Sequence, residues 1–366
     1  MTEILVLDSG PLTTVQDLGR FGSQSLGVPP SGAADSEALR TANLLAGNDP
    51  GEACLECTLR GPRLEFTGHA AFSLCGARAS ARLNDTPVPM WETLYASPGD
   101  ILSVGPAEAG LRIYLAFSGG LDVPLVLGSR STYLRAGFGG WEGRALRAGD
   151  RIPLRPGPDP RTWPPLRVPE EERPEYPSDI VVRALASHEL DRFLPESVDR
   201  FFQEPFTVSP KSDRMGCRLE GTPLAHARGA DVVSSGVLTG TVQVPGDGLP
   251  IVLLADRQTT GGYTRIAHVI RADLPKLGQA RPGDRVRFSR VDPEEARRAL
   301  EEQERILRSR IRPRSTDVRP RIPSGATTPE PTETEAADTR VYGKSRRFRV
   351  VVNGLAYDVE ITESRS

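Results

Sequence analysis

Lysine is almost missing from this chain. Of 46 basic residues in 366, only Lys211, Lys276 and Lys344 are lysines, so arginine carries nearly all the positive charge. Guanidinium forks match carboxylates and phosphates, although a GC-rich coding bias would leave the same signature. The formal net charge of −2 excludes the global basic field on which nucleic-acid binders rely. Cysteine and histidine are equally scarce, at four each. Cys54, Cys57, Cys75 and Cys217 are too few for a disulfide scaffold. Cys54-Leu-Glu-Cys57 has CxxC spacing without a second pair, and Ala53–Leu59 reads as a strand, so no zinc site or other metal is expected. His69, His188, His226 and His268 are far apart in sequence and read as core or surface residues. No run approaches the ~20 apolar residues of a membrane span. MTEILVLDSG lacks the basic and apolar regions of a secretory signal, and a cytoplasmic location is expected.

Phosphate motifs are also missing. There is no GxxxxGK[ST], no GxGxxG leading from a strand into a helix, and no GxSxG elbow. Glycine (36) and proline (33) are abundant, and the hydrophobic content is only 38%. Many short strands joined by turns fit this composition better than long helices. The fold is therefore expected to be mainly β, with minor α. Its expected organisation is two related β-rich units at 1–165 and 178–292, a surface helix at 293–310, a disordered linker at 311–342 and a β-hairpin at 343–363.

Local patterns support these divisions. Residues 35–46 form the clearest helix, with Ala38, Ala42 and Leu45 on one stripe and Gly47 as its stop. Strands are expected at 4–7, 72–83, 100–104 and 111–117, then at 180–185, 206–209, 237–244, 251–255, 265–270 and 285–289. A short helix after Ser187 should break at Pro195. Three Gly-Asp pairs, at 99–100, 149–150 and 283–284, each precede an alternating strand; the glycine permits positive φ and the aspartate can close an Asx turn. Over 293–309, Glu294→Arg298, Glu301→Arg305 and Glu304→Arg308 have the favourable i,i+4 order beside a narrow apolar stripe, which predicts a solvated helix. Residues 311–340 are rich in Pro, Thr, Glu and Arg, and Asn353-Gly354 is a strong hairpin signal.

The most informative run is 239–263, TGTVQVPGDGLPIVLLADRQTTGGY. A strand that delivers Asp256, Arg257, Gln258, Thr259 and Thr260 onto Gly261-Gly262 is costly for stability alone. It suits the presentation of a small polar ligand. Four further clusters share this grammar of hydroxyl, arginine and acid or amide beside glycine: 14–20, 31–35, 128–133 and 211–216. Convergent donors of this kind fit a carboxylate, amide or phosphate.

TVQDLGRFGSQSLGVPPSGAAD, NLLAGN (43–48), YLAFSGGLDVPLVLGSRSTYL, SDRMGCRLEG and VQVPGDGLPIVLLADRQTTGGY together resemble the allophanate hydrolase subunit 2 family, also called the biotin-dependent carboxyltransferase-like family. The match runs in order from about residue 4 to 290. The resemblance implies two cyclophilin-like β-barrel units. It also implies work as a C subunit of a 5-oxoprolinase, beside a B subunit resembling allophanate hydrolase subunit 1 and an A subunit of the lactam-utilisation type. ATP, with Mg shared with a partner, would drive the opening of 5-oxo-L-proline to L-glutamate by phosphorylating the amide oxygen and making it a leaving group. On that reading Asp256, Arg257, Gln258 and Asp213 are the catalytic candidates. Arg257 and Arg214 would neutralise substrate carboxylate or phosphate, Gln258, Thr259 and Thr260 would orient the lactam, and Asp256 or Asp213 would position an arginine or accept a proton. Tyr263, Gln16, Asp17, Arg20, Ser129, Arg130, Ser131 and Thr132 join Arg214, Thr259 and Thr260 as substrate-binding candidates. Two alternatives stay open: a carboxyltransferase component of a biotin-dependent urea or amide carboxylase, and a kinase-regulating binding protein without catalysis. RRFRVVVNGLAYDVEITE resembles the opening of a biotinyl module, but none of the three lysines lies in a Met-Lys-Met context, so no biotin is expected on this chain.

Overall fold

The computed structural model describes residues 2–160 and 162–314, and the backbone of 345–352 and 355–362. Two curled sheets, each with its own apolar core, make up most of the first compact unit, Met1–Arg321. The mainly β expectation holds.

The first sheet contains β1 (Glu3–Asp8), β2 (Leu12–Gln16), β3 (Cys54–Thr58), β4 (Arg63–Phe66), β5 (Ala70–Leu83), β6 (Thr86–Val88), β7 (Thr93–Ala96), β8 (Ile101–Phe117) and β9 (Arg151–Pro153). Its main path is β2-β3-β8-β4-β1-β9, with β5 pairing β6, β7 and β8. The 17-residue β8 curls the sheet: its far end pairs with β3, its near end with β4, and β5 follows it along its length. What reads in sequence as two strands, 100–104 and 111–117, is this one long strand. Phe66, Phe72 and Phe117 pack at the centre of its core.

Helix α1 (Ser36–Ala46) lies against β5 and β8. The Asp35 carboxylate caps it by accepting from the Ala38 N–H at 2.9 Å, and left-handed Gly47 ends it. Between the two sheets, residues 162–177 pack as a strap, with Val168 fully buried and β10 (Leu166–Arg167) within it.

The second sheet holds β11 (Asp179–Ala186), β12 (Phe206–Val208), β13 (Gly216–Glu220), β14 (Asp231–Gly236), β15 (Thr241–Val244), β16 (Ile251–Leu253), β17 (Thr260–Val269) and β18 (Arg285–Arg290). Pairing of β11 with β17 closes the ring β11-β18-β12-β13-β16-β15-β17, and β14 hangs on β17 as an exposed ribbon. Helix α2 (Pro195–Gln203) plugs one end of this ring through Phe201. Pro195 starts this helix and does not break one, because a proline in the first turn has no amide partner to lose. Residues 237–240, expected as strand, form the turn into β15, and α3 (Leu274–Gly278) follows β17.

All three Gly-Asp turns have the same build. Gly99, Gly149 and Gly283 have φ of 85°, 93° and 93°. Asp100, Asp150 and Asp284 each accept from the backbone N–H three residues earlier at 2.7–2.8 Å.

Helix α4 (Pro293–Ser309) begins with a full capping box at Asp292 and Glu295. It is less detached than expected. Leu307 and Arg310 are buried, Glu304 pairs with Arg40 of α1, and Arg310 pairs with Glu37 at 2.6 Å. Its internal ion pairs are Arg297 with Glu294 and Glu301, and Arg305 with Glu302, not the three i,i+4 pairs expected. Residues 311–314 also depart from the expected linker, since β19 (Arg312–Pro313) pairs with β10; the rest of that linker lies outside the described residues. In the second unit, β20 (Ser345–Val352) and β21 (Leu355–Thr362) form an antiparallel pair in register from Ser345↔Thr362 to Val352↔Leu355. The Asn353-Gly354 turn itself lies outside the described residues.

Candidate functional site

The two sheets meet along a polar seam centred on Glu56. This residue sits mid-strand in β3, 2% exposed. One carboxylate oxygen accepts from the Ala34 N–H at 2.9 Å and from the Tyr114 hydroxyl at 2.7 Å. The other faces Arg214 directly and Arg112 at 3.6 Å. Arg214 also grips Asp256 through Nε at 2.8 Å, and its Nη2 donates to the Gly32 carbonyl at 2.5 Å. Two carboxylates and two guanidiniums thus neutralise one another in a dry interface, the arrangement in which a buried ion pair can offset its desolvation. Burial opposes ionisation of Glu56, but Arg214 and Arg112 outweigh it and hold its pKa below the ordinary value. Burial likewise works against the Arg214 cation, and Asp256 and Glu56 more than compensate. Gln279 extends the seam by donating to Asp35 at 2.8 Å and accepting from the backbone of residues 111 and 112.

Beside this seam the first-sheet loops are clasped by Asp17. Its carboxylate accepts from the Gly19 N–H (2.7 Å), the Ser129 and Ser131 hydroxyls (2.7 and 2.5 Å) and the Arg130 N–H (2.6 Å). Asp17, Ser129 and Ser131 therefore spend their polar atoms on one another. Arg130 is held by the Val123 carbonyl and Glu52, and the Thr132 hydroxyl by the Val15 carbonyl. Of the first-sheet candidates, Arg20 and Gln16 keep unpaired capacity. Arg20 is 1% exposed, lies over the Phe138 ring at 4.9 Å and donates to the Ser131 carbonyl, yet its Nη1 has no partner. Burial lowers its pKa, against the pull of Asp17 and Asp256, so it lies within electrostatic reach of the second-sheet loop. The loops also touch directly: Ser31 N–H donates to the Ala255 carbonyl at 3.1 Å, and Arg135 approaches the Met215 sulfur at 3.2 Å.

The run 256–260 divides as it leaves β16. Asp256 is fixed by Arg214. Arg257, 1% exposed, has neither Nε nor Nη1 satisfied, and desolvation lowers its pKa. Gln258 donates to the Gln243 side chain at 3.0 Å. Thr259 and Thr260 lead into the exposed β14–β17 ribbon, where Tyr263 is 43% exposed. Asp213 accepts from the Met215 and Gly216 N–H groups and shapes its own turn. The structure thus gathers Arg20, Asp17, Ser129, Ser131, Arg214, Asp256 and Arg257 along the seam and leaves Thr260 and Tyr263 on its flank. Arg214, expected to face substrate, instead spends its guanidinium on Glu56, Asp256 and the Gly32 carbonyl.

Sequence reasoning missed Glu56, Tyr114 and Gln279. Glu56 carried a signal, a lone acid in a strand buried on both faces. Ser31, from the 31–35 cluster, takes φ of 54° and buries an unpartnered hydroxyl. His268, whose pKa burial and then Arg257 push down, also adjoins the site. Among the described residues no three His, Cys, Asp or Glu side chains converge as metal ligands, and no helix is long and apolar enough to cross a membrane.

Two curled sheets locked by a buried ionic seam, with guanidiniums left uncompensated beside it, define a two-sheet, β-rich domain. The chain belongs to the carboxyltransferase domain family, subdomains A and B, whose family model matches residues 26–290. It is 41% identical over 306 residues to the 5-oxoprolinase C subunit of Escherichia coli (strain K12), covering 82% of this chain and 96% of that one. It is 38% identical to the 5-oxoprolinase C subunit of Haemophilus influenzae, covering 80% and 92%. The solved Kluyveromyces lactis urea carboxylase superposes with a TM-score of 0.79 at 34% identity, over 83% of this chain and 29% of that larger one.

Proposed function

We propose that this chain is the C subunit of an ATP-dependent 5-oxoprolinase that opens 5-oxo-L-proline to L-glutamate together with an A and a B subunit. The observation that carries the reading is Arg257: a guanidinium almost wholly removed from water, with two nitrogens unsatisfied and, among the described residues, no carboxylate paired with it. Such a charge is stable only when an anion completes it. Both reactants are anions, the lactam through its carboxylate and ATP through its phosphates. Arg20 offers a second unsatisfied nitrogen on the facing loop. The relatives named as C subunits of 5-oxoprolinase, matched over nearly their full length, support the same reading.

In this account Arg257 and Arg20 bind the anion, Gln258 orients the amide, and Arg214 fixes Asp256 in place. ATP would transfer its γ-phosphoryl group to the amide oxygen, water would add to the activated carbon, and the C–N bond would break with the amine as leaving group. A second water would then cleave the resulting acyl phosphate to L-glutamate and phosphate. Mg would enter with the nucleotide, with its carboxylate ligands supplied by a partner protein. The test is co-expression with the neighbouring genes and assay of ATP-dependent glutamate release from 5-oxoproline. Release by the complex supports the reading; a complete complex that lacks release sinks it. The likeness to urea carboxylase favours a second reading, carboxyl transfer to urea from biotin carried on another polypeptide. A neighbouring biotin carboxylase gene with an intact biotinyl domain would select it.

A further inference from the structure

A half-open cavity not lined by Arg257 lies where α1, the strap, β11 and α3 converge. It measures about 450 Å³ and is lined by Asp35, Glu37, Tyr176, Ile180, Pro275 and Gln279 among others. That volume falls in the range of small-ligand pockets. Two features of its lining lack an internal explanation. The Tyr176 hydroxyl is buried and has no hydrogen-bond partner, although buried polar groups are nearly always paired. Asp35 is fully buried, and among the described residues no arginine, lysine or histidine forms an ion pair with it. Its oxygens accept only from the Ala38 N–H and the Gln279 amide, both neutral.

The cations nearby are already committed. Arg310 is bound to Glu37 at 2.6 Å. Lys276 is bound to Asp273 and to the Val181 carbonyl, both at 3.0 Å. The other charged residues on the walls are acidic: Glu175, and Asp179, which pairs with Arg285 at 3.6 Å. No third ligand converges as a metal would require, and the proline and aliphatic walls suit an organic body.

We propose that this cavity is a binding site for a small organic ammonium compound, whose charged nitrogen pairs with Asp35 and donates to the Tyr176 hydroxyl while its apolar body fills the space against Ile180 and Pro275. The cavity adjoins the far end of the seam through Asp35 and Gln279, is not lined by Arg257 or Arg20, and does not depend on the reaction assigned there.

Three probes of similar shape and different charge test the proposal on the full chain by ligand-observed NMR and calorimetry: cyclohexylamine, cyclohexanol and cyclohexanecarboxylate. Cyclohexylamine should saturate the protein in the millimolar range and bind at least about tenfold tighter than the alcohol, as one charge-assisted hydrogen bond allows. The carboxylate should not bind. Tyr176→Phe removes a hydroxyl that bonds to nothing in the fold, so it should melt like the parent chain while weakening the amine several-fold. Asp35→Asn keeps an equivalent helix cap and should abolish the preference of amine over alcohol. Equal binding of amine and alcohol, absence of amine binding, or amine affinity unchanged in Tyr176→Phe would each overturn the proposal.

Discussion

Replacing Glu56 with glutamine tests whether the seam holds the two sheets together as an ionic unit. The side chain is 1% exposed and faces two guanidiniums, of which Arg214 is itself shared with Asp256. Glutamine retains the volume and can keep both bonds from Ala34 N–H and Tyr114 on its amide oxygen, but it then turns an NH2 toward the guanidiniums and leaves an excess positive charge in a dry interface. Breaking a buried pair by removing one partner costs about 3–5 kcal/mol, a large part of the ~5–15 kcal/mol of net stability that folded domains possess. At ~2–4 °C per kcal/mol for large domains, the melting temperature should fall by on the order of 10 °C. The mechanism is separated from simple packing loss by a cycle of Glu56→Gln, Arg214→Met and the double variant, followed by urea unfolding. Removing one charge of each sign restores neutrality, so the double variant should lose less than the sum of the singles by at least ~1 kcal/mol. Additivity within ~0.5 kcal/mol would refute the ionic account and leave the seam an ordinary packed interface.

Three other outcomes are expected. Burial, and then Glu37, raise the Asp35 pKa to about 6 from its ordinary 3.8. The folded state therefore holds this proton more tightly, so the contribution is full below pH ~4 and is lost as pH rises through about 6, by up to ~3 kcal/mol; Asp35→Asn should flatten that limb of the stability–pH profile. Gly139 has φ of 73°, and a Cβ there would lie 2.1 Å from the Ser131 carbonyl oxygen and 2.7 Å from Arg20 Nη2. Gly139→Ala should cost at least ~1–2 kcal/mol in backbone strain alone and displace Arg20, seen as weaker anion binding; an alanine variant with parental stability would contradict this. Burial pushes the Cys57 and Cys217 thiols up to about 12 and those of Cys54 and Cys75 upward as well. An aromatic disulfide reagent should therefore find no reactive thiol until the protein is unfolded.

The parts legible in the sequence were those fixed by neighbours along the chain. Residues 36–46 announce their helix through Ala38, Ala42, Leu45 and the Gly47 stop, and the Gly-Asp turns declare themselves because aspartate and amide lie three residues apart. Pro195 misled because its meaning depends on which side of it the helix lies. Helix α4 looked solvated because its few apolar residues say nothing of Arg40 and Glu37, which meet it from α1, more than 250 residues away in sequence. The site was half legible for the same reason. Arg257 stood out in a polar run at a strand end, and Arg20 in the first loop. Asp17 and Ser131 looked like ligand groups because a polar cluster reads alike whether it binds a substrate or clasps two loops. Arg214 was visible, but its carboxylate partner Glu56 lies 158 residues away and is disguised as a strand residue.

The central claim is that Arg257 is kept buried and unpaired in order to bind an anion, and Arg257→Leu in the reconstituted complex tests it most directly. Leucine breaks no bond at Nε or Nη1 and removes an uncompensated charge, so the isolated chain should melt at or above the parental temperature. ATP-dependent glutamate release from 5-oxoproline should nevertheless fall by about 100-fold or more in kcat/KM, the scale of losing a preorganised charge contact. A variant that is equally stable and turns over 5-oxoproline at the parental rate would contradict the account.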